Sequence, residues 1–338
     1  MPAAPRVSVV VPCYNEERHI GQVLAGLAGQ WEAGDYEVVV VDGMSEDGTR
    51  AEIERFRRAH ARPEVRVVDN PARNIPAAVN IGIGAARGEI VVRMDAHSVP
   101  SENYVRRCVE VLRAGAADIV GMPWRIRPGA ETVTARAVAA AVAHPFGIGD
   151  AKYRLSESGR AEQHAVDTVP FGAFRKELWR ELGGYNENLL ANEDYDFNYR
   201  ARQSGRRVVL DTSACSDYFA RPTLRALAAQ YFRYGSWKAR MLRLHPRSVR
   251  LRQLVAPAFV LALALPAAAG LFWTPAWWFF AATLGSYAAV ALLFSARLAA
   301  RAGDARLAAA LPVVFFTIHA TWGAGFLLGL VRSPRANR

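Results

Sequence analysis

The chain has 338 residues, 51% of them hydrophobic, and a formal net charge of +11. That length holds one domain of roughly 200 to 250 residues and leaves a substantial remainder. Its three cysteines, Cys13, Cys108 and Cys215, are too widely spaced for a metal-site pattern and read as small buried residues, kept reduced in a cytoplasmic domain.

Met1 to Arg6 leads straight into a strand-like run with no cleavage pattern, so no secretory signal is expected. A valine-rich run over 7–11 reads as a strand ended by Pro12, and 37–41 as another ended by Asp42-Gly43. Between them, Ile20, Val23, Leu24 and Leu27 have helical spacing and place a helix over 16–27. Residues 46–58 read as a second helix, 65–68 as a third strand, 77–86 as a third helix and 89–92 as a fourth strand. Apolar strands alternating with helices indicate an α/β fold with a mainly parallel sheet covered on both faces. In such sheets ligands bind beyond the carboxyl ends of the strands, where Tyr14-Asn15-Glu16, Asp42 and Asp95-Ala96-His97 all fall. A strand ending in Asp-x-His can hold a divalent cation against a nucleotide diphosphate.

Gly82-Ile83-Gly84-Ala85-Ala86-Arg87-Gly88 imitates a dinucleotide fingerprint, but its spacing is off by one. Its glycines also fall in and after a helix rather than between a strand and a helix, so that reading is set aside. Further on come Phe171-Gly172-Ala173, a helix over 176–182, Gly183-Gly184-Tyr185-Asn186-Glu187 and the polar segment from Asn192 to Arg200. In Phe171-Gly172-Ala173 the glycine permits a close approach to the backbone. Asn192 can cap a helix whose first turn carries the acids Glu193 and Asp194. Neighbours on a helix diverge by about 100°, so one of those two is expected to point elsewhere.

A basic stretch over 221–252, from Arg221 to Arg252, is interleaved with Leu224, Leu227, Tyr231, Phe232, Tyr234 and Trp237. That mixture suits helices on an anionic lipid surface, and its position makes lipid head groups rather than nucleic acid the expected partner. Three apolar runs follow, 254–273, 276–294 and 308–330, each close to the ~20 residues that span a bilayer. The flanking cations put the large amino-terminal part on the cytoplasmic side. Arg297, Arg301 and Arg306 also fit a cytoplasmic loop, but three crossings would then leave Arg332, Arg335 and Arg338 outside. Either the third run is re-entrant or the tail breaks the positive-inside rule.

Taken in order, the motifs Pro12-x-Tyr14-Asn15-Glu16-Glu17, Val41-Asp42-Gly43-Met44-Ser45-x-Asp47-Gly48-Thr49, Asn80-x-Gly82, Gly88-Glu89-Ile90, Asp95-x-His97, Gly183-Gly184-Tyr185-Asn186-Glu187 and Asn192-Glu193-Asp194 resemble the family-2 glycosyltransferases. Met94-Asp95-Ala96-His97-Ser98 and the segment from Asn192 to Arg200 are most similar to the bacterial succinoglycan-biosynthesis glucosyltransferase subgroup. The resemblance covers about residues 6–245. It implies a GT-A fold over 1–220; the charge and apolar runs then divide the rest into basic interfacial helices over 221–252, two or three transmembrane helices over 253–331 and a basic tail over 332–338.

It further implies a UDP-sugar donor, glucose by subgroup, a divalent metal (Mn²⁺ or Mg²⁺) and inversion at the anomeric carbon. Asp95 is the implied metal ligand, with His97 as second ligand or as ligand of a metal-bound water; imidazole in place of the commoner carboxylate favours Mn²⁺. Asp194 takes the place of the family's base, with Glu193 beside it. Asp42 matches the residue that meets the uracil ring, Pro12, Tyr14 and Glu16 match the nucleoside loop, and Arg73 stands where it can meet base or diphosphate. Gln230, Arg233 and Tyr234 resemble a Gln-x-x-Arg-Trp motif that faces diphosphate and acceptor, with tyrosine replacing tryptophan.

The implied activity is transfer of one sugar to a polyprenyl-diphosphate-linked saccharide at the bacterial inner membrane, in exopolysaccharide or cell-surface glycan synthesis alongside other assembly enzymes. The rivals are a polyprenyl-phosphate glycosyltransferase, a processive synthase and a non-catalytic nucleotide-sugar-binding membrane protein.

Overall fold

The protein was examined as a computed structural model, which describes residues 7–30 and 36–332. Met1 to Arg6, and the basic tail apart from Arg332, lie outside the described residues. In chain order the elements are β1 (Val7–Cys13), α1 (Ile20–Leu27), β2 (Tyr36–Asp42), α2 (Thr49–Ala59), β3 (Glu64–Asp69), α3 (Ile75–Ala85), β4 (Ile90–Arg93), β5 (Ser98–Pro100), α4 (Tyr104–Arg113), β6 (Ile119–Gly121) and β7 (Trp124–Arg127). Then follow α5 (Val133–Val142), α6 (Pro145–Ile148), α7 (Lys152–Leu155), β8 (Gln163–Ala165), β9 (Ala173–Arg175), α8 (Lys176–Glu181), α9 (Glu193–Gln203), β10 (Val208–Asp211) and β11 (Ser216–Phe219). The chain closes with α10 (Leu224–Leu244), α11 (Arg252–Ala269), α12 (Ala276–Ala302) and α13 (Arg306–Val331).

These elements form two compact units, one holding the chain up to Arg125 and Ser156–Tyr218, the other Ile126–Leu155 and the chain from Phe219 onward. Residues 126–155, which the sequence reading leaves inside 1–220, therefore pack in the second unit.

The first unit is built on an eight-stranded sheet of order β3-β2-β1-β4-β9-β6-β10-β8, with a smaller sheet β5-β11-β7. Strands β3, β2, β1 and β4 run parallel to one another, whereas β9 runs antiparallel to both β4 and β6. Every side chain of β1, β2 and β4 is buried, which is why those runs read as continuously apolar. The three cysteines are buried and free.

Two helix starts differ from the sequence reading. The carbonyl of Glu16 accepts from His19 and Ile20 in a turn, so α1 begins at Ile20 rather than at 16. Asp47 likewise accepts from the Thr49 N–H and hydroxyl, which delays α2 to Thr49.

At the amino ends of the strands a polar network takes the place of apolar packing. The buried Glu37 carboxylate accepts from the Ser8 hydroxyl (2.8 Å), the Arg66 guanidinium (2.8 Å) and the Arg87 N–H (2.7 Å). Ser8 Oγ in turn accepts from the Gly88 N–H at 2.8 Å.

The glycines of the discarded fingerprint have a packing reason. A Cβ on Gly82 would stand 2.4 Å from Val10 Cγ1 and 2.7 Å from Val41 Cγ2, so glycine lets α3 lie directly on the sheet. Gly82→Ala is expected to cost about 1–3 kcal/mol through overpacking. A thermal melt of the variant checks this, and an unchanged midpoint would show that the contact yields freely.

In the second unit, α11, α12 and α13 are long and apolar enough to cross a membrane. α10 carries Gln230, Tyr231, Trp237 and Lys238 buried, with Arg225, Phe232 and Arg233 exposed.

Candidate active site

The carboxyl ends of β1, β2 and β4 lie side by side, because Cys13 is in register with Asp42 and Val10 with Arg93. The loops that leave them lock together: the Asn15 N–H donates to Ser45 Oγ (2.9 Å), the Glu46 N–H to Asn15 Oδ1 (2.9 Å) and the Glu16 N–H to Thr49 Oγ1 (2.8 Å). Tyr14 is exposed beside Arg73, whose guanidinium lies 5.9 Å from its ring centre and pairs with Glu46 at 3.0 Å. Pro12, Tyr14, Glu16, Asp42 and Arg73 are thus gathered at one edge of the sheet.

Five non-glycine residues among those described have left-handed backbone: Asn15 (φ 53°), Met44 (61°), Arg73 (51°), Phe171 (50°) and Asn192 (65°). Each stands in a loop that carries or adjoins a candidate residue. Backbone strain of this kind costs about 1–3 kcal/mol per residue and concentrates where a ligand must be met.

Asp42 is fully buried and already engaged. It accepts from the Ser45 N–H (3.2 Å) and hydroxyl (2.5 Å) and from Arg50 Nε (2.5 Å). A carboxylate has about four acceptor positions, so this one fixes its own loop before it meets any base.

Arg93, the last residue of β4, is the centre of the site and was given no role from sequence. Its side chain is 2% exposed, yet Nη2 reaches Asp95 Oδ1 at 3.2 Å and Glu193 Oε1 at 3.0 Å, and Nη1 donates to Asp194 Oδ1. The expectation that Glu193 or Asp194 points away is not met. The forked guanidinium offers separate nitrogens, and the longer Glu193 side chain swings back to the one that Asp194 leaves, so both acids of the first turn of α9 converge. A sequence signal existed: one cation closing an otherwise apolar strand, with three acids in the neighbouring motifs.

The electrostatics follow from burial. Burial opposes the Arg93 charge, and Asp194, Asp95 and Glu193 overcome it, holding the guanidinium charged. Burial pushes the Asp194 carboxyl up to about 7; Arg93 opposes the rise, and Glu193 and Asp95 add to it. That carboxyl sits near neutrality, the range in which a base both accepts and releases a proton.

His97 lies two residues beyond Asp95, and its Nδ1 is 2.8 Å from Glu16 Oε1; the other oxygen of Glu16 is 2.9 Å from His19 Nδ1. Burial raises the Glu16 carboxyl, but bonds and charge from His97 and then His19 bring it below its ordinary value. Among the described residues no group of three or more His, Cys, Asp or Glu side chains is arranged to hold a metal ion. One carboxylate and one imidazole two residues apart fit a cation that takes its remaining ligands from a diphosphate and water. The Glu16 contact fits as well, since a carboxylate on Nδ1 favours the tautomer whose lone pair is on Nε2.

The remainder of the polar segment is structural. Asp196 pairs with Arg200 at 2.8 Å, and Arg200 donates to the carbonyls of Leu182 and Gly184 (2.6 and 2.7 Å). Asn198 Nδ2 donates to Thr168 Oγ1 (2.9 Å) and to the Val169 carbonyl (3.0 Å). These bonds fix α9, and so the direction in which Asp194 projects. Phe171 is buried, its ring centre 6.0 Å from the Arg93 guanidinium. In the second unit, Gln230 Nε2 donates to Tyr234 Oη at 3.1 Å, so these two share a face of α10 while Arg233 is exposed.

Comparison with known proteins identifies the family. The chain is 33% identical over 322 residues to the succinoglycan biosynthesis protein ExoA of Rhizobium meliloti (strain 1021), covering 94% of this chain and 93% of that protein. It is 22% identical over 242 residues, 70% of this chain and 74% of the other, to a dolichyl N-acetyl-alpha-D-glucosaminyl phosphate 3-beta-D-2,3-diacetamido-2,3-dideoxy-beta-D-glucuronosyltransferase of Methanococcus voltae. Among solved structures, the mannosyltransferase PcManGT from Pyrobaculum calidifontis, in complex with GDP-Man and Mn²⁺, matches with a TM-score of 0.62 at 23% identity, over 98% of this chain and 88% of that one. The family model for glycosyl transferase family 2 matches residues 8–183. With a GT-A fold, a carboxylate cluster at the carboxyl edge of its sheet and these relatives, the chain belongs to glycosyl transferase family 2.

Proposed function

We propose that this glycosyltransferase moves one sugar, glucose by its subgroup, from a UDP-sugar to a polyprenyl-diphosphate-linked saccharide at the cytoplasmic face of a bacterial inner membrane, with inversion at the anomeric carbon. The observation that carries the proposal is the convergence of Asp95, Glu193 and Asp194 on buried Arg93. It supports a reading in which Asp95, as a cation ligand, and Asp194, as a base, share one guanidinium. Among the relatives, the Methanococcus voltae enzyme acts on a dolichyl-phosphate-linked sugar, and PcManGT binds GDP-Man with Mn²⁺. The long apolar helices fit an enzyme that works where an amphiphilic acceptor presents its head group.

In this scheme the loops of Tyr14, Asp42 and Arg73 receive the nucleoside, and Asp95 and His97 hold the cation, with Glu16 orienting His97. A bound divalent cation supplies charge to the diphosphate as the glycosidic bond breaks. Asp194 accepts the proton of the attacking hydroxyl, which becomes nucleophilic only as it loses that proton. Arg93 keeps Asp194 aimed and ionisable, and Glu193 balances its charge. The resemblance assigns Gln230, Arg233 and Tyr234 a role toward the diphosphate and the acceptor. A single displacement from the face opposite the leaving group inverts the anomeric centre.

The test is label transfer from UDP- and GDP-sugars into solvent-extractable lipid by membranes carrying the protein, with metal or chelator and with Asp95→Asn. Transfer from one UDP-sugar, lost with chelator and reduced at least about 100-fold in Asp95→Asn, is the expected result. Chelator-resistant transfer would remove the metal role, and transfer from a GDP-sugar alone would replace the donor.

A further inference from the structure

We infer that α13 does not cross the bilayer: it lies along α10 and returns its carboxyl end to the side on which α10 sits, leaving α11 and α12 as the crossing pair. The inference rests on the membrane reading of α11 and α12. It begins with how closely α10 and α13 are joined.

Phe232 lies against Gly325, Gly235 against Trp322 and Phe326, Ser236 against Gly325 and Gly329, and Ala239 against Gly329. Residue numbers rise together, so the two helices run parallel and side by side over the second half of α10. Glycine makes the approach possible. A Cβ on Gly235 would stand 2.1 Å from the Trp322 carbonyl oxygen, and one on Gly325 would stand 2.2 Å from that of Phe232. Backbones this close, through small residues spaced about a turn apart, leave no room for one helix to turn away from the other.

α10 cannot cross. Its 21 residues include Arg225, Arg233, Lys238, Arg240 and Arg243, each costly in the hydrocarbon core. A helix bound in parallel along it takes the same attitude to the membrane.

Both ends of α13 are also held. Asp304, just before it, forms an ion pair with Arg136 of α5 at 2.9 Å, and Arg243 of α10 donates to the carbonyls of Gly329 (2.8 Å) and Leu330 at its far end. Burial separates α13 from its neighbours: 39% of its apolar window is buried, against 6% for α11 and 11% for α12. The protein leaves α11 and α12 almost bare, whereas it covers a substantial part of α13. This arrangement resolves the charge conflict in the sequence, because Arg332 then shares a side with Arg297, Arg301 and Arg306. The turn between α11 and α12, with Phe272, Trp273, Trp277 and Trp278 exposed, carries the aromatic residues of the opposite interface.

The experiment is impermeant-maleimide labelling of the full-length protein in right-side-out spheroplasts and inside-out vesicles. Single cysteines replace three exposed residues, as Arg225→Cys, Phe272→Cys and Arg332→Cys; the native cysteines are buried. Arg225→Cys and Arg332→Cys are expected to label in inside-out vesicles and to lose labelling in spheroplasts, with Phe272→Cys showing the reverse. Labelling of Arg332→Cys together with Phe272→Cys, opposite to Arg225→Cys, would overturn the proposal. Carbonate extraction separates the two readings: release from the membrane removes the membrane reading and this proposal with it. Retention with Arg332→Cys on the far side removes this proposal alone.

Discussion

Asp194→Asn is expected to lower kcat by about 100- to 10,000-fold, the usual contribution of a general base, while nucleotide-sugar affinity changes little. Amide and carboxylate have nearly the same shape, so the amide can still accept from Arg93, but it takes no proton from a hydroxyl at neutral pH. Single-turnover transfer and nucleotide titration on the same preparation measure the two quantities. Near-wild-type transfer would mean an acceptor that is already anionic, such as a polyprenyl phosphate. The same group sets the pH dependence. Burial raises Asp194 to about 7, and only its ionised form is a base. The wild-type kcat/KM should therefore fall about tenfold per unit as pH drops below about 7, and Asp194→Asn should lack that limb.

The second large effect falls on Arg93. Arg93→Met keeps much of the side-chain volume but leaves Asp95, Glu193 and Asp194 facing one another without their shared cation. Breaking a buried ion pair by removing one partner costs about 3–5 kcal/mol. The melting temperature should drop by on the order of 10 °C. The sign of its pH dependence identifies the cause. Asp194 is already raised with Arg93 in place and rises further without it, so the folded variant binds protons that the unfolded chain does not. Its stability then increases as pH falls from about 8 to about 6, and the deficit against wild type narrows. Thermal melts across that range decide it: a deficit independent of pH would point to lost packing against Phe171, not lost charge.

Much of this was legible before any coordinates. Strands buried on both faces announce themselves as unbroken valine runs, and the loops after β1, β2 and β4 could be placed at one edge because parallel strands point the same way. Asp95, Asp194 and Asp42 stand out in the sequence through the order of their motifs. What the sequence hides is what depends on distant partners. Arg93 reads as a strand end until α9, a hundred residues later, delivers two carboxylates to it. Glu16 reads as the start of a helix, because the turn that frees its side chain toward His97 is fixed by backbone bonds that leave no periodic trace. Residues 126–155 carry no linker-like composition, so nothing local says that α5 and α6 pack in the second unit. Gly325 and Gly329 pass for small residues in an apolar run, and their meaning appears only when α10 is laid beside them.

The network around Glu37 gives the sheet two ends of different character. At the amino edge, Ser8, Glu37, Arg66, Arg87 and Gly88 tie β1 and β2 to the approach to β4 through one satisfied carboxylate. At the carboxyl edge the same strands open into loops that bond chiefly to each other. Register is therefore secured away from the chemistry. New donor preferences can arise by exchanging the segments at 14–17, 43–48 and 70–74, while the scaffold that aligns them stays untouched. The division makes the fold a holder with interchangeable tips, and on the proposed scheme a lineage could change its nucleotide without having to relearn how to fold.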